Sequence, residues 1–315
     1  MILEMISYFK MIRILVTTLS PFNYLRFLLL KTLDCFFKRL FMLLACFRIM
    51  VLSICILSFS SAFTQKVAPY GGSNKFKKLV WSDEFNYTGL PDSNRWSNEE
   101  GYIRNKELQY YTRQRKENAF VKNGLLTITA LNDSLPINNK MVPVTSASLH
   151  TKGKQDWIYG RVEVKAKFPS SLGTWPAIWM LGSDLNKVGW PACGEIDILE
   201  HVGYMPETIH FNVHTKKYNH VTKTGKGTTL DYAGAYNEFH VYAIEWFDDH
   251  IDWYFDNKKV FTYANEGEGA DSWPFDKPQY LIINLAFGGA WGGSKGVDLA
   301  LLPKHFMIDY VRVFQ

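Results

Sequence analysis

Cysteine is scarce in this chain: there are four in 315 residues, and Cys35, Cys46 and Cys55 all fall within the first 62. Only Cys193 is left in the remainder, so no internal disulfide holds it and its stability must come from a packed core. Helical periodicity is rare, and no internal repeat, low-complexity tract or long linker divides the sequence, which excludes a helical bundle and a repeat array. Net charge is also nearly absent outside the N-terminal stretch. The formal +5 reflects basic residues gathered there, with Lys31, Lys38, Arg39 and Arg48 between apolar runs, and the near-neutral remainder argues for no nucleic-acid partner.

Residues 1–62 contain no tryptophan and are rich in Leu, Ile, Phe and Met. The apolar run from Ile49 to Phe59 follows Arg48 and ends in Ser60-Ser61-Ala62, a small-residue pattern that suits signal-peptidase cleavage before Phe63. Residues 1–62 are therefore expected to be a leader, and its unusual length leaves Met42 or Met50 open as the true start. This predicts a secreted protein, extracellular or periplasmic, with no stable membrane partner after cleavage. The alternative is an uncleaved membrane anchor, since Phe41 to Phe63 would nearly span a bilayer were it not for Arg48. Leu43-Leu44-Ala45-Cys46 resembles a lipidation box only faintly, because apolar residues continue past the cysteine.

What the remainder does contain is short alternating segments broken by Gly, Pro, Asn and Asp, in a chain that is 47% hydrophobic and 16% aromatic. That pattern predicts an all-β sandwich, in one domain of about 235 to 250 residues from the Gln65 region to Gln315. Strands are expected at Leu79-Trp81, Ala119-Val121, Leu125-Ala130, Ser146-Thr151, Gly160-Lys167, Ala177-Leu181 and Glu195-His201. Further ones are expected at Thr208-Val213, His240-Trp246, His250-Phe255, Lys258-Tyr263, Gln279-Ala286 and Met307-Val313.

The segment with the most chemistry is E-I-D-I-L-E. Glu195 and Asp197 are two apart and share a strand face, whereas Glu200 is an odd number of residues from both and would point into the core. A buried, unpaired Glu is costly. One extra residue bulged out around Ile198-Leu199 returns Glu200 to the face of the other two, a re-aiming for which bulges serve beside active sites. Two pleat steps of roughly 6.6 Å then separate the outer Glu Cα atoms by about 13 Å. Side chains leaning inward can close that gap to about 5 to 5.5 Å, the separation of retaining glycosidases. In that chemistry Glu195 attacks the anomeric carbon, Glu200 protonates the leaving oxygen and Asp197 hydrogen-bonds one or both. Repulsion between the acids and a partly apolar wall should raise the pKa of the acid and keep the nucleophile ionised. An isolated E-x-D on a strand is ordinarily just a charged solvent face; the aromatic surroundings set this one apart.

Tryptophans crowd the turns near this segment. Trp175 and Trp179 share a face of one extended stretch, Trp190 precedes the acids, and Trp291 lies in the glycine-rich Phe287-Gly293 loop. Such rings stack on the apolar faces of sugars, although Trp179 serves equally well as sandwich core. Asn105 and Glu107 are expected on a loop at one end of a cleft, bonding sugar hydroxyls. His210 and His214, four apart, could suggest zinc, but that spacing serves zinc on a helix and this segment reads as strand. A sugar contact or a partner for Asp197 suits one of them better, and His214 is taken as the substrate contact. Cys193 reads as a small buried hydrophobe, with no His placed in sequence to activate it.

Taken together these motifs resemble glycoside hydrolase family 16, and in particular its laminarinase-like endo-β-1,3-glucanases. The likeness is carried by W-P-x-x-G-E-I-D-I-L-E from Trp190 to Glu200 and G-T-W-P-A-I-W-M-L from Gly173 to Leu181. Trp81–Phe85, Glu107–Thr112, Tyr159–Glu163, Phe239–Trp246, Asn284–Gly289 and Asp309–Val313 follow the family order around them. The resemblance implies a β-jelly-roll sandwich of two curved antiparallel sheets with a concave substrate cleft, and makes residues 63–315 the catalytic domain. It implies Glu195 as nucleophile, Asp197 as its assistant and Glu200 as acid/base, acting without a catalytic cofactor on a β-glucan, as a monomer. It further implies a structural calcium on Glu84, Gly124 and Asp309, completed by main-chain oxygens. One departure is that Thr145–His150 lacks an Arg that relatives often carry there. Agar, carrageenan and transglycosylation remain open as alternatives, since the bulged acid motif also serves those polymers, and so does a non-catalytic glucan-binding module. The absence of a basic cluster near the tryptophans favours a neutral glucan.

Overall fold

Val162, Val164 and Ala166 alternate with Arg161, Glu163, Lys165 and Lys167, and in the computed structural model the first three enter the core between two sheets. That period of two is why these residues form strand rather than helix. The structure describes residues 75–137 and 139–315. The expected leader, residues 1–62, and its cleavage point lie outside the described residues. Pro69–Gln315 forms a compact unit.

In chain order the strands are β1 (Leu79–Asp83), β2 (Ser97–Asn98), β3 (Tyr110–Tyr111), β4 (Ala119–Lys122), β5 (Leu125–Ile137) and β6 (Lys140–Ser146). Then come β7 (Ser148–His150), β8 (Gly160–Lys167), β9 (Thr174–Gly182), β10 (Glu195–Glu200), β11 (Thr208–His214) and β12 (Lys226–Asp231). The last five are β13 (His240–Trp246), β14 (His250–Phe255), β15 (Lys258–Ala264), β16 (Gln279–Phe287) and β17 (Lys304–Phe314). One sheet runs β15-β14-β13-β8-β17-β5-β6-β3, with β1 on β17 and β4 on β5. The other runs β12-β11-β10-β9-β16-β7-β2. Among the described residues every strand pairing is antiparallel except that of β3 with β6, which departs from the expected antiparallel sheets.

The expected strands are present. Of those that sequence patterning overlooked, β2 and β3 are only two residues long, β12 is K-G-T-T-L-D on a sheet edge, and β6 contains Pro143. Proline is tolerated there because the β5–β6 register is irregular opposite it and β3 pairs only with Thr145 and Ser146.

The seven-stranded sheet is apolar on both faces near its centre. Ile178, Met180, Ile196, Ile198, Leu199, Phe211 and Ile283 join the main core, while Ala177, Trp179, Leu181, Cys193, Tyr280 and Ile282 form a second cluster. The alternation along β9 places this second cluster on the outer face, beside the acids. Strand β16 is accordingly buried along its whole length, the pattern of a strand covered on both sides.

Candidate active site

The register of β10 displays the acids. Against β9, Glu195, Asp197 and Glu200 stand opposite Leu181, Trp179 and Ala177; against β11 they stand opposite His214, Asn212 and His210. Both neighbours therefore present every second residue, so all three acids share a face although Glu200 breaks parity in sequence. The register shift between Asp197 and Glu200 is the bulge, with Ile198 and Leu199 both buried in the core. Gly194 introduces the strand at φ +78°, and a Cβ there would meet Pro274 Cγ at 2.7 Å, so glycine is needed to start β10 in this place.

Each glutamate receives an indole N–H. Trp190 Nε1 donates to Glu195 Oε2 at 2.7 Å, and Trp175 Nε1 donates to Glu200 Oε1 at 3.1 Å. Asp197 is buried between them, with His214 Nε2 3.3 Å from its Oδ2 and 3.7 Å from Glu195 Oε1. Burial, and next the charge of Asp197, push Glu195 up to about 8, while His214 and Trp190 pull the other way. Glu200 is raised well above the ordinary carboxylate value by burial, then by Asp197 and Glu195. Burial opposes charge on His214 as well, but the hydrogen bond and charge of Asp197, followed by Glu195 and Glu200, outweigh it and carry the imidazole up to about 10. The site thus holds one cation among three acids. Both glutamates are pushed toward their protonated forms, so the nucleophile is not held ionised by repulsion as expected, and the His214 cation is the group that favours its ionisation.

The tryptophans divide by role. Trp190 is 38% exposed and packs near His214 and His220, with ring centroids at 5.9 and 5.3 Å. Trp291 meets Trp175 edge-on at 5.4 Å and His210 at 4.8 Å, beside Glu200. These rings flank the acid row. Trp179 differs: it is buried, its Nε1 donates to Asn284 Oδ1 at 2.8 Å, and the Arg104 guanidinium carbon lies 5.0 Å from its ring centroid. The ring face expected to carry a sugar is occupied by this arginine.

Glu107 also differs from expectation. Its carboxylate is buried and accepts from Asn105 Nδ2 at 3.2 Å, Gln109 Nε2 at 2.6 Å and the Tyr111 hydroxyl at 3.3 Å. Those bonds hold the loop rather than reach for a sugar, and Asn105 spends its amide on Glu107. Arg104, Glu99, Asn284 and His220 were not singled out from sequence. A polar residue inside the apolar run Q-Y-L-I-I-N-L-A-F is the signal that could have found Asn284; Arg104 offered none beyond its place in the loop.

The side chains expected to bind calcium do not fit an ion as they stand. Both Glu84 oxygens accept from Arg312, at 2.9 and 2.7 Å, and Asp309 pairs with Lys165 at 2.7 Å. A cation would have to displace a guanidinium and an ammonium. Gly124 is in the β4–β5 turn at φ +77°. Cys193 is buried beside the acids, its thiol pushed up to about 11 by burial and then by Glu195, which suits a core residue and not a nucleophile.

Comparison with known proteins agrees with this geometry. The profile of the glycosyl hydrolases family 16 matches residues 106–312. A β-glucanase of Rhodothermus marinus is 48% identical over 248 residues, which cover 76% of this chain and 85% of that protein. The X-ray structure of the laminarinase from Rhodothermus marinus matches with a TM-score of 0.72 at 47% identity, over 76% of this chain and 97% of that one. A variant of a non-specific endo-β-1,3(4)-glucanase of the same family, co-crystallised with 1,3-β-D-cellotriosyl-glucose, matches with a TM-score of 0.73 at 45% identity. That match covers 77% of this chain and 95% of the other. With its two-sheet β-jelly-roll, its bulged acid strand and these matches across most of its length, the chain belongs to glycosyl hydrolases family 16.

Proposed function

We propose that this chain is an endo-acting, retaining β-1,3-glucanase that also accepts mixed-linkage β-1,3-1,4-glucan. The observation that carries the reading is the bulge, which sets Glu195, Asp197 and Glu200 on one face with an indole N–H on each glutamate. Glu195 attacks the anomeric carbon, the glycosidic C–O bond breaks, and Glu200 gives its proton to the leaving oxygen. In the second step Glu200 takes a proton from water, whose oxygen displaces Glu195 and leaves the anomeric configuration unchanged. Asp197 holds the His214 imidazolium beside the nucleophile, and that cation, with the Trp190 N–H, favours the ionised Glu195 against burial and the charge of Asp197 itself. Glu200, raised well above the ordinary range, keeps the proton the first step needs.

The similarity to a non-specific β-1,3(4)-glucanase supports the breadth of linkage. The test is reducing-end release from a panel of laminarin, lichenan, agarose and carrageenan, with the anomer of the first product followed by NMR. Release from laminarin with a β product, lost in Glu195→Gln and Glu200→Gln while glucan binding persists, is the expected result. Binding without release by the wild type would leave only a glucan-binding module, and release from agarose or carrageenan alone would overturn the substrate.

A further inference from the structure

Arg104 is held in an unusual way for a surface-loop arginine. Its Nη2 donates to Glu99 Oε1, and the other oxygen of Glu99 accepts from Ser148 Oγ at 2.6 Å, so the anchor is itself fixed to β7. The guanidinium carbon stands 5.0 Å from the ring centroid of Trp179, the residue directly opposite Asp197 on the neighbouring strand. Nη1 is buried and has no hydrogen-bond partner. An unmatched buried donor on a charged group is costly, and a fork with one arm spent and one unspent is arranged to meet an acceptor from outside the protein.

The loop carrying it is rigid by construction. Glu107 N donates to Arg104 O at 3.1 Å, Ala290 N to Asn105 O at 2.8 Å, and Leu108 N to Phe287 O at 2.9 Å, which ties the loop to the end of β16 and the Trp291 loop. Beneath it runs a chain of bonds from Trp179 to Asn284, from Asn284 Nδ2 to the Tyr111 hydroxyl at 3.0 Å, and from there to Glu107. That network fixes the indole on which the guanidinium rests. Loop and floor are fixed, so the movement that brings the buried Nη1 to an acceptor is a tilt of the guanidinium on its Glu99 anchor, in a side chain that is 22% exposed.

We infer that Arg104 is a specificity-determining binding residue for the glucan, donating from Nη1 to a hydroxyl of the sugar that lies over β9 and β16 beside the acid row. This rests on the proposed activity and adds the contact that selects the neighbouring unit. The acceptor is a neutral hydroxyl rather than a sulfate or carboxylate, because Glu99 neutralises the guanidinium and Glu107 adds negative charge nearby. Thr145–His150 contains no Arg, and in this chain the guanidinium beside Ser148 comes from the loop before β3 instead.

The experiment compares wild type, Arg104→Ala and Arg104→Lys on β-1,3-gluco-oligosaccharides of increasing length, measuring kcat and KM separately. Oligosaccharide binding to the same variants in a Glu195→Gln background is followed by calorimetry. A hydrogen bond from a charged donor is worth about ten- to hundredfold in affinity, so Arg104→Ala should raise KM and Kd by that factor with a smaller change in kcat. Arg104→Lys, which keeps the charge and loses the fork, should recover only part. The effect should vanish for oligosaccharides too short to reach β16. Unchanged KM and Kd in Arg104→Ala, with only a lowered Tm, would overturn the inference and leave the arginine as a cover for Trp179. If the wild type cleaves nothing, the proposed activity fails by itself, and the calorimetric comparison still decides the role of Arg104. If it binds no glucan, both are overturned.

Discussion

His214 Nε2 lies 3.3 Å from Asp197 Oδ2, and each residue is buried, so the imidazole and the central acid form a charge pair inside the acid row. Removing the cation while keeping a polar group, as in His214→Asn, leaves Glu195 facing Asp197 alone. His214 lowers the pKa of Glu195, which still stands at about 8 because burial and then the charge of Asp197 raise it more strongly. The variant should therefore move the ascending limb of the kcat/KM profile, which reports ionisation of the nucleophile, to higher pH, with a loss of about tenfold or more below that limb. Stability carries the opposite sign of dependence. The folded-state pKa of His214 is raised from 6.5 to about 10, so its contribution is fully present below pH 6.5 and is lost as pH rises through about 10. Thermal melts of wild type and variant should accordingly converge as the pH is raised toward 10.

Trp175 offers a test of the other glutamate. Its Nε1 donates to Glu200 and lowers a pKa that burial raises. Trp175→Phe keeps an aromatic ring and removes the donor, so the neutral acid is favoured further and the descending limb should shift to higher pH. Loss of a hydrogen bond to a charged group, worth about 1.5–3 kcal/mol, should lower kcat/KM by roughly ten- to a hundredfold. A pH–rate series on laminarin reads both.

The bulge is braced from the opposite sheet. Trp253 Nε1, on β14, crosses the core to donate to the main-chain oxygen of Asp197 at 2.8 Å. Trp253→Phe strands that buried carbonyl, at about 1–3 kcal/mol, and adds a cavity. For a domain of this size each kcal/mol is worth about 2–4 °C, so Tm should fall by several degrees, and calorimetry checks it.

How much of this was legible in the sequence follows from what each signal depends on. Parity on a strand is local, so the odd spacing of Glu200 announced the bulge, and the alternation in G-R-V-E-V-K-A-K announced β8 to the residue. His214 as partner of Asp197 was also within reach, because i and i+4 share a face on a strand. Contacts that depend on loop closure were not. Arg104 meets Trp179 and Glu99 only after three separate segments fold together, and no spacing in the chain encodes that. Glu107 looked like a sugar contact because an acid in a polar loop is usually exposed; here neighbouring donors draw it inward. The Glu84 and Asp309 side chains expected on calcium are paired for a similar reason, since Arg312 and Lys165 reach the carboxylates from β17 and β8.

Two single-residue deletions separate the geometry of β10 from its stability. Deleting Leu199 leaves E-I-D-I-E, in which the three acids are two apart and share a face without any bulge. Deleting Ile196 leaves E-D-I-L-E, in which Glu195 becomes the direct neighbour of Asp197 and the two must face opposite ways. Each deletion removes one fully buried aliphatic residue from the same core, so the packing losses are comparable, about 2–5 kcal/mol by analogy with large-to-small substitutions. Turnover should divide them. A displacement of about 1 Å at a reacting group costs on the order of a hundredfold, so the Leu199 deletion should keep measurable activity near that level. The Ile196 deletion cannot place nucleophile and assistant on one face and should release no reducing ends. Equal loss in both, with both variants folded by circular dichroism, would mean that the bulge supplies more than parity: its curvature, or the carbonyl it turns toward Trp253, would then be needed for the reaction itself.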